Sequence, residues 1–290
     1  MSDVSQHRNL AVRLAYDITG SWADAEEIAQ EALGRVWATP DVRDPRALLA
    51  RITTNLAIDR MRTARTVYIG PYLPEPVLTS DGADVTVERA EEVEVALLVA
   101  LEALSPVERA ALLLHDVFAF SFDEVAHILG RSPAAVRQAA SRARAHAARR
   151  RPRFSRDDAA ARQLVERFFA AVDDGEVTAL VELLAADATL IADGGGQVAA
   201  ARRPVVGAEP VARFLAGLGA KFAGRFTVAP ARLNRADAHL VFVDGALDQV
   251  VWLGVAEGRV QALYLVRNPA KLMRSGPPPR GPAGSSPDRR

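Results

Sequence analysis

"SFDEVAHILGRSPAAVRQAASRARAHAA", residues 121–148, is two short helices and a tight turn. Ser121 and Glu124 have the spacing of a capping box, in which each side chain satisfies a backbone N–H of the other's turn. Val125, Ile128 and Leu129 then recur as one buried face, and Gly130 suits a helix end. Ser132 caps a second helix with Pro133 in its first turn, and Val136, Ala139, Ala140 and Ala143 give it a narrow apolar face. The outward side carries Arg137, Gln138, Ser141, Arg142 and Arg144. Arg and Gln can fork onto base edges while Ser and the other arginines hold phosphates, so the pattern predicts a helix-turn-helix with its second helix in a major groove. A plain surface hairpin is the competing reading. It is disfavoured because no acid is interleaved to pair the arginines.

The segment just before it, "SPVERAALLLHDVF" (105–118), repeats the design with Ser105 as cap, Pro106 next and Glu108 closing the box. His115 and Asp116 look like a catalytic pair on paper, but a structural pair near a helix end is the preferred reading. Further toward the N-terminus, "LAVRLAYDI" ends at Gly20 and "SWADAEEIAQEALGRVWA" follows. A third helix opens with Asp44 as N-cap and Pro45 as its first residue. On that helix Leu49, Ile52 and Leu56 form an apolar face, while Arg51, Asn55, Asp59 and Arg62 share a polar one. The helix before it sets Asp24, Glu27, Gln30 and Glu31 opposite Ile28, Val36 and Trp37. Such an acidic surface suits a basic protein partner better than DNA.

Between the two helical units stands "YIGPYLPEP" (68–76). Its prolines fix φ and push the preceding residues into extended conformations, making a stiff strip rather than a flexible tether. Tyr68, Tyr72 and Leu73 equip it to lie against something.

The whole chain has 290 residues, about half of them apolar, enough for two or three small domains. It lacks cysteine, which excludes disulfides and thiolate metal sites and fits a reducing cytoplasm. No run of 18 apolar residues or basic-then-apolar leader occurs, so no membrane span or secretory signal is expected. The formal net charge of zero hides segregation: nine arginines and no acid lie between Arg131 and Arg156, whereas residues 75–94 are acidic with one arginine. Only Lys221 and Lys271 are lysines.

After the Pro/Arg joint "RRRPRFSR" the sequence changes character. Amphipathic helices at "AAARQLVERFFAAVDDG" and "VTALVELLA" precede β-like runs at "ATLIAD", "RFTVAPARL", "AHLVFVD", "DQVVWLGVAEG" and "RVQALYLVR", with one further helix, "AEPVARFLAGLGAKF", among them. This predicts a compact α+β domain. Asp193 precedes Gly194, Gly195 and Gly196, a turn suited to positive φ. A carboxylate there either caps the glycine turn, the preferred reading, or serves a ligand. Asp237, His239 and Asp248 are further polar candidates, and Phe168, Phe222, Trp252 and Tyr264 are expected to line a pocket. The end, "RSGPPPRGPAGSSPDRR", reads as low-complexity and disordered.

Taken together, "GSWADAEEIAQEALGRVW" with "DPRALLARITTNLAIDRMR", followed by "LSPVERAALLLHDVFAFSFDEVAHILGRSPAAVRQAASRARAH", resemble regions 2 and 4 of a bacterial extracytoplasmic-function sigma factor. "YIGPYLPEP", "ADGGG" (192–196) and "RNPAKL" (267–272) resemble the sigma-J-type subgroup, which carries a SnoaL-like C-terminal domain. The resemblance implies two all-α domains, the second with the helix-turn-helix, and then an α+β cone. The expected division is 1–65 for region 2, 66–90 for the linker, 91–152 for region 4, 157–273 for the cone and 274–290 for the tail. It implies a transcription initiation factor, not an enzyme, with core RNA polymerase and promoter DNA as partners and no cofactor or metal. Asp24, Glu27, Gln30 and Glu31 would dock on the polymerase. Arg51, Asn55, Asp59 and Arg62 would engage the opened −10 element, and the Arg137–Arg144 helix the −35 duplex. The strip is expected to dock on the C-terminal domain, near the glycine turn or in the cone's mouth, with Asn268 and Pro269 of the terminal motif in the same regulatory role. A small ligand in the cone is the other expectation, and the alternative from another class is a small-molecule isomerase, cyclase or sensor tethered to DNA by the helix-turn-helix.

Overall fold

The computed structural model describes residues 2–78, 95–150 and 159–272. The acidic stretch after the strip, the Pro/Arg joint and the tail lie outside the described residues, and with them the expected boundaries near 90, 152 and 273.

Helices α1 (Ser2–Thr19), α2 (Trp22–Trp37) and α3 (Pro45–Val67) form the first unit. Local chemistry sets their ends. The Ser21 side chain accepts from the Asp24 N–H at α2, and Asp44 accepts from Ala47 N–H at α3 with Pro45 in the first turn. The second unit comprises α4 (Val95–Leu101), α5 (Pro106–Leu112), a π-helical turn (Leu113–Val117), α6 (Phe122–Leu129) and α7 (Pro133–Arg150). Both capping boxes expected here, at Ser105/Glu108 and Ser121/Glu124, are formed. Gly130 ends α6 in the left-handed conformation at φ +60°. The helix read through to residue 118 widens instead after Leu112, where Phe118 N–H reaches back to Leu113 O.

The two helical units share one apolar core. Leu14, Ile18, Leu49 and Ile58 belong to the same buried cluster as Leu113, Phe118, Val125 and Ile128. Arg46 spans the junction, donating to Phe118 O at 3.0 Å with its guanidinium 4.2 Å above the Phe120 ring. Trp37, expected on the apolar face of α2, is 67% exposed. It stands at the helix's last residue, on the rim of a surface hollow that it shares with Leu33, Val36 and Leu49.

The C-terminal domain is the α+β cone that the sequence predicted. Helices α8 (Ala159–Asp173), α9 (Val177–Leu183) and α10 (Ala208–Phe222) cover one face of a six-stranded sheet ordered β2-β1-β6-β5-β4-β3. The strands are β1 (Leu184–Asp193), β2 (Val205–Val206), β3 (Phe226–Leu233), β4 (Ala236–Val243), β5 (Ala246–Ala256) and β6 (Arg259–Val266), and α11 (Pro269–Leu272) follows them. Among the described strands only β1 and β6 pair in parallel; the other neighbours are antiparallel. Alternation sorts the side chains: Val241, Val251, Leu253, Leu263 and Leu265 pack under the helices, while Leu240, Phe242, Val250, Trp252 and Tyr264 pack on the opposite face. Trp252 and Tyr264 therefore do not line a pocket under the helices. They form a second core with Leu73, Val95 and Leu272.

Candidate nucleic-acid interface and the docked proline strip

On α7, Arg137, Gln138, Ser141, Arg142 and Arg144 are all exposed, while Val136, Ala139, Ala140 and Ala143 are buried. Two of the arginines are not unpaired, as the sequence had suggested. Arg142 Nε donates to Glu108 at 2.9 Å, and Arg144 binds Asp116 through two bonds, at 2.7 and 2.5 Å. The partners come from the preceding helix and π turn, which periodicity within α7 could not reveal. The hydrogen bond to Asp116 raises the Arg144 pKa by favouring the charged guanidinium. His115 faces elsewhere: its Nδ1 contacts Phe120 O at 2.8 Å and its ring stacks on Phe122 at 3.8 Å. Its pairing with Asp116 is thus not realised.

On α3, Arg51, Asn55, Asp59 and Arg62 are exposed along one side, with Arg62 3.3 Å from Asp59. On α2, Glu27, Gln30 and Glu31 are exposed and Asp24 is half-buried. This acidic face is partly neutralised. Arg60 of α3 pairs with Asp24 and, at 3.0 Å, with Glu27, and Arg35 pairs with Glu31 at 2.5 Å.

The strip runs between the helical units and the outer face of the sheet. Leu73 is 1% exposed in the second core, a burial worth about 1.5–3 kcal/mol for a leucine side chain. Asp193, at the end of β1, is fully buried and its carboxylate gathers the strip. One oxygen accepts from Tyr68 OH at 2.5 Å and from Gly195 N–H at 3.0 Å. The other accepts from Leu73 N–H at 2.9 Å and from Lys271 Nζ at 2.8 Å. Four donors fill the lone pairs of the carboxylate, so the buried charge is satisfied. Asp193 thus caps the glycine turn and also anchors the strip; it lies on the far side of the sheet from the space under the helices.

Gly195 and Gly196 take φ of +59° and +72°. A Cβ on Gly195 would stand 2.2 Å from Asn268 Nδ2, and one on Gly196 would meet Ile69 at 3.0 Å. At Gly194 a Cβ would meet Val198 O at 2.6 Å. Asn268 donates to Tyr68 OH at 3.0 Å, and Pro269 begins the turn of α11 that carries Lys271 inward.

Five residues of this junction, Lys271, Asn234, Arg235, Tyr16 and Glu75, are given no role by the sequence. Lys271 is 6% exposed, donates also to Leu73 O, and sits 3.3 Å from the Tyr72 ring centre and 5.0 Å from that of Tyr68. Its being one of two lysines in an arginine-rich chain was the available signal, since a compact ammonium fits where a guanidinium fork does not. Asn234 and Arg235 form the two-residue β3–β4 turn with positive φ, and Asn234 binds Val77 through both backbone and side chain. Asn234 Nδ2 also donates to Tyr16 OH, which in turn donates to Glu75 O at 2.7 Å. Glu75 completes the tie by accepting from Trp22 N–H at 2.8 Å and donating its own N–H to Gly20 O. Burial pushes the phenols of Tyr16, Tyr68 and Tyr72 up, with the Asp193 carboxylate adding to the shift at Tyr68. Burial lowers the Lys271 pKa against the pull of Asp193.

Of the remaining candidates, Asp237 pairs with Arg232 at the surface, and His239 is half-buried beside Phe169, where desolvation lowers its pKa. Phe168, Phe222 and Asp248 line a cavity under the helices. Among the described residues, no helix is long and apolar enough to cross a membrane.

Comparison with known proteins places these surfaces in context. Residues 4–67 match the model of Sigma-70 region 2, and residues 94–146 that of Sigma-70, region 4. The chain is 38% identical to the ECF RNA polymerase sigma factor SigJ of Mycobacterium tuberculosis, over 95% of this chain and 94% of that protein. It is 29% identical to the probable ECF RNA polymerase sigma factor SigI of the same species, over 92% of each. The crystal structure of the M. tuberculosis extracytoplasmic function sigma factor SigJ superposes with a TM-score of 0.72 at 36% identity, covering 94% of this chain and 99% of that one.

Proposed function

The chain belongs to the extracytoplasmic-function sigma factors, which direct promoter-specific initiation by RNA polymerase, and from that premise we propose how its surfaces divide the work. The face of α2 with Asp24, Glu27, Gln30 and Glu31 meets core polymerase. Arg51, Asn55, Asp59 and Arg62 on α3 engage the opened −10 element. Arg137, Gln138, Ser141, Arg142 and Arg144 on α7 engage the −35 duplex, where Arg142 and Arg144 must exchange Glu108 and Asp116 for phosphates or bases. The protein works in the cytoplasm, where the polymerase is.

The C-terminal cone is the regulator. It grips the strip so that the two DNA-binding units stay packed on one shared core, and polymerase competes for the strip when it binds. One observation carries this reading: a fully buried carboxylate, Asp193, holds both Tyr68 and the Leu73 backbone from across the sheet. No catalytic role is assigned to the cone, because Asp193 spends all its hydrogen-bonding capacity on the chain itself.

The test is in vitro transcription with core polymerase over a promoter library, comparing the full chain with Asp193→Asn and with chains ending near residues 155 and 266. Promoter-specific transcripts are expected from the full chain, and at limiting polymerase the variants that release the strip give more. Identical output from Asp193→Asn would remove the regulatory half; no transcripts at any promoter would remove the surface assignments as well.

A further inference from the structure

A second space lies where the two helical units, the strip and the end of the cone meet. Its volume is about 250 Å³, and its wall includes Asp24 of α2, Arg60 of α3, Tyr72 and Glu75 of the strip, Glu102 just after α4, and Lys271 of α11. It shares no wall residue with the cavity under the helices. An apolar cavity of about 150 Å³ already takes benzene, so this one has room for a small organic molecule.

Tyr72 is the group that points to an occupant. Its ring is engaged, by the Tyr68 edge at 4.9 Å and by the Lys271 ammonium at 3.3 Å. Its hydroxyl has no hydrogen-bond partner among the described residues, whereas that of Tyr68 has two. Burial first, and the Glu102 carboxylate next, push the Tyr72 phenol up, so it stays protonated and both donates and accepts. Gly20, at φ +72°, keeps the place beside these two groups open. A Cβ there would stand 3.1 Å from the Tyr72 ring edge and 3.6 Å from Glu102 Oε1.

The charges select the class. Three carboxylates of the wall, Asp24, Glu75 and Glu102, face two cations, Arg60 and Lys271. Both cations are engaged, Arg60 by Asp24 and Glu27 and Lys271 by Asp193. Carboxylates accept and never donate, so the wall favours a donor-rich cation, and an ammonium carries three N–H groups. Met61 and Ala64 add apolar surface for an alkyl stem.

We propose that this junction binds a compact aliphatic diamine, its ammonium groups on the wall carboxylates and one N–H on the Tyr72 oxygen, and that the bound cation holds the two helical units, the strip and the cone together. The binding half stands alone; the holding half rests on the reading that the cone grips the strip. A ligand whose site needs all these segments binds only the docked chain. At about a hundred times its Kd, the strip then opens about a hundredfold less often.

The experiment titrates the full chain with putrescine and with butanediol, its uncharged analogue of the same length, following binding by NMR shifts and strip opening by exchange of the Leu73 amide, which is bonded to Asp193. Putrescine is expected to saturate and butanediol not to. Tyr72→Phe keeps the ring and loses no bond to the chain, so Leu73 exchange in the free protein stays unchanged while putrescine binds about tenfold more weakly, the lower end for a hydrogen bond to a charged group. Ala64→Phe, at an exposed position of α3, fills the space and should abolish binding. Putrescine should slow Leu73 exchange in the wild type and not in Ala64→Phe. No saturable putrescine binding, butanediol binding as tightly, or an affinity unchanged by Tyr72→Phe or by Ala64→Phe overturns the site. Binding that Ala64→Phe abolishes, with Leu73 exchange unchanged by putrescine, overturns the holding half, and the gripped-strip reading is then judged separately from Tyr68→Phe without any ligand.

Discussion

Tyr68→Phe removes one oxygen and leaves the ring in place, which makes it the sharpest probe of the junction. Two hydrogen bonds are lost: the charge-assisted one to Asp193 and the neutral one from Asn268. In a fully buried site these would contribute about 1.5–3 and about 0.5–1.5 kcal/mol. Tyr68 is only half-buried, so water replaces part of both. The remaining phenyl ring keeps the edge contact with Tyr72 at 4.9 Å and the place beside Lys271. The expected net loss is about 1–2 kcal/mol, which raises the undocked population roughly 5–30-fold. Hydrogen exchange reads this directly at the Leu73 amide, which donates to the Asp193 carboxylate. It should exchange about 5–30 times faster, while the Leu263 amide inside β6 keeps its rate. A Leu73 amide exchanging at the wild-type rate would refute the reasoning. Acceleration of the whole sheet in concert would refute it too, by making Tyr68 a support of the domain rather than a clasp on the strip.

Gly195→Ala should loosen the strip further, since it adds a left-handed strain of about 1–2 kcal/mol to a clash with Asn268; a melting temperature and strip-cleavage rate equal to wild type would contradict this. Asp116→Asn should free Arg144, strengthening DNA binding by up to about fivefold for an exposed pair worth about 0.2–1 kcal/mol and steepening the salt slope by up to about one. Unchanged or weaker binding in a filter or anisotropy titration would show that Arg144 does not meet phosphate. Stability should fall as pH rises above about 10, the ordinary phenol value: Tyr16, Tyr68 and Tyr72 have folded pKa values above their unfolded ones, so the unfolded chain loses protons first. Lys271, with its folded value lowered, acts in the opposite sense below its unfolded value of 10.5 but is one group against three. Thermal melts from about pH 9 to about pH 11 check the sign, and Tyr68→Phe should flatten the decline.

Much of this protein is written locally. Ser105 with Glu108, Ser121 with Glu124, Asp44 before Pro45 and Gly130 set helix ends through bonds that span three or four residues, and each formed as expected. Five of the six described strands of the cone were visible too, because β-branched and aromatic runs alternate with turn residues; the two-residue β2, Val205–Val206, is too short to show a period. One clue to the second core was also present. Residues 250–255 of β5 are buried without a break, as in a strand covered on both faces, and Trp252 and Tyr264 answer to the strip and not to a pocket.

What the sequence alone determined is therefore the set of elements and the motifs that carry the family resemblance, since caps, periodicity and proline geometry act over a single turn. Tertiary structure alone decided the partners: Asp193 with Tyr68 across 125 positions, Asn234 with Tyr16 across 218, and Glu108 and Asp116 with the arginines of α7. The physical reason is that a buried charge must find its donors wherever the packed chain brings them, and no short window of residues contains that geometry.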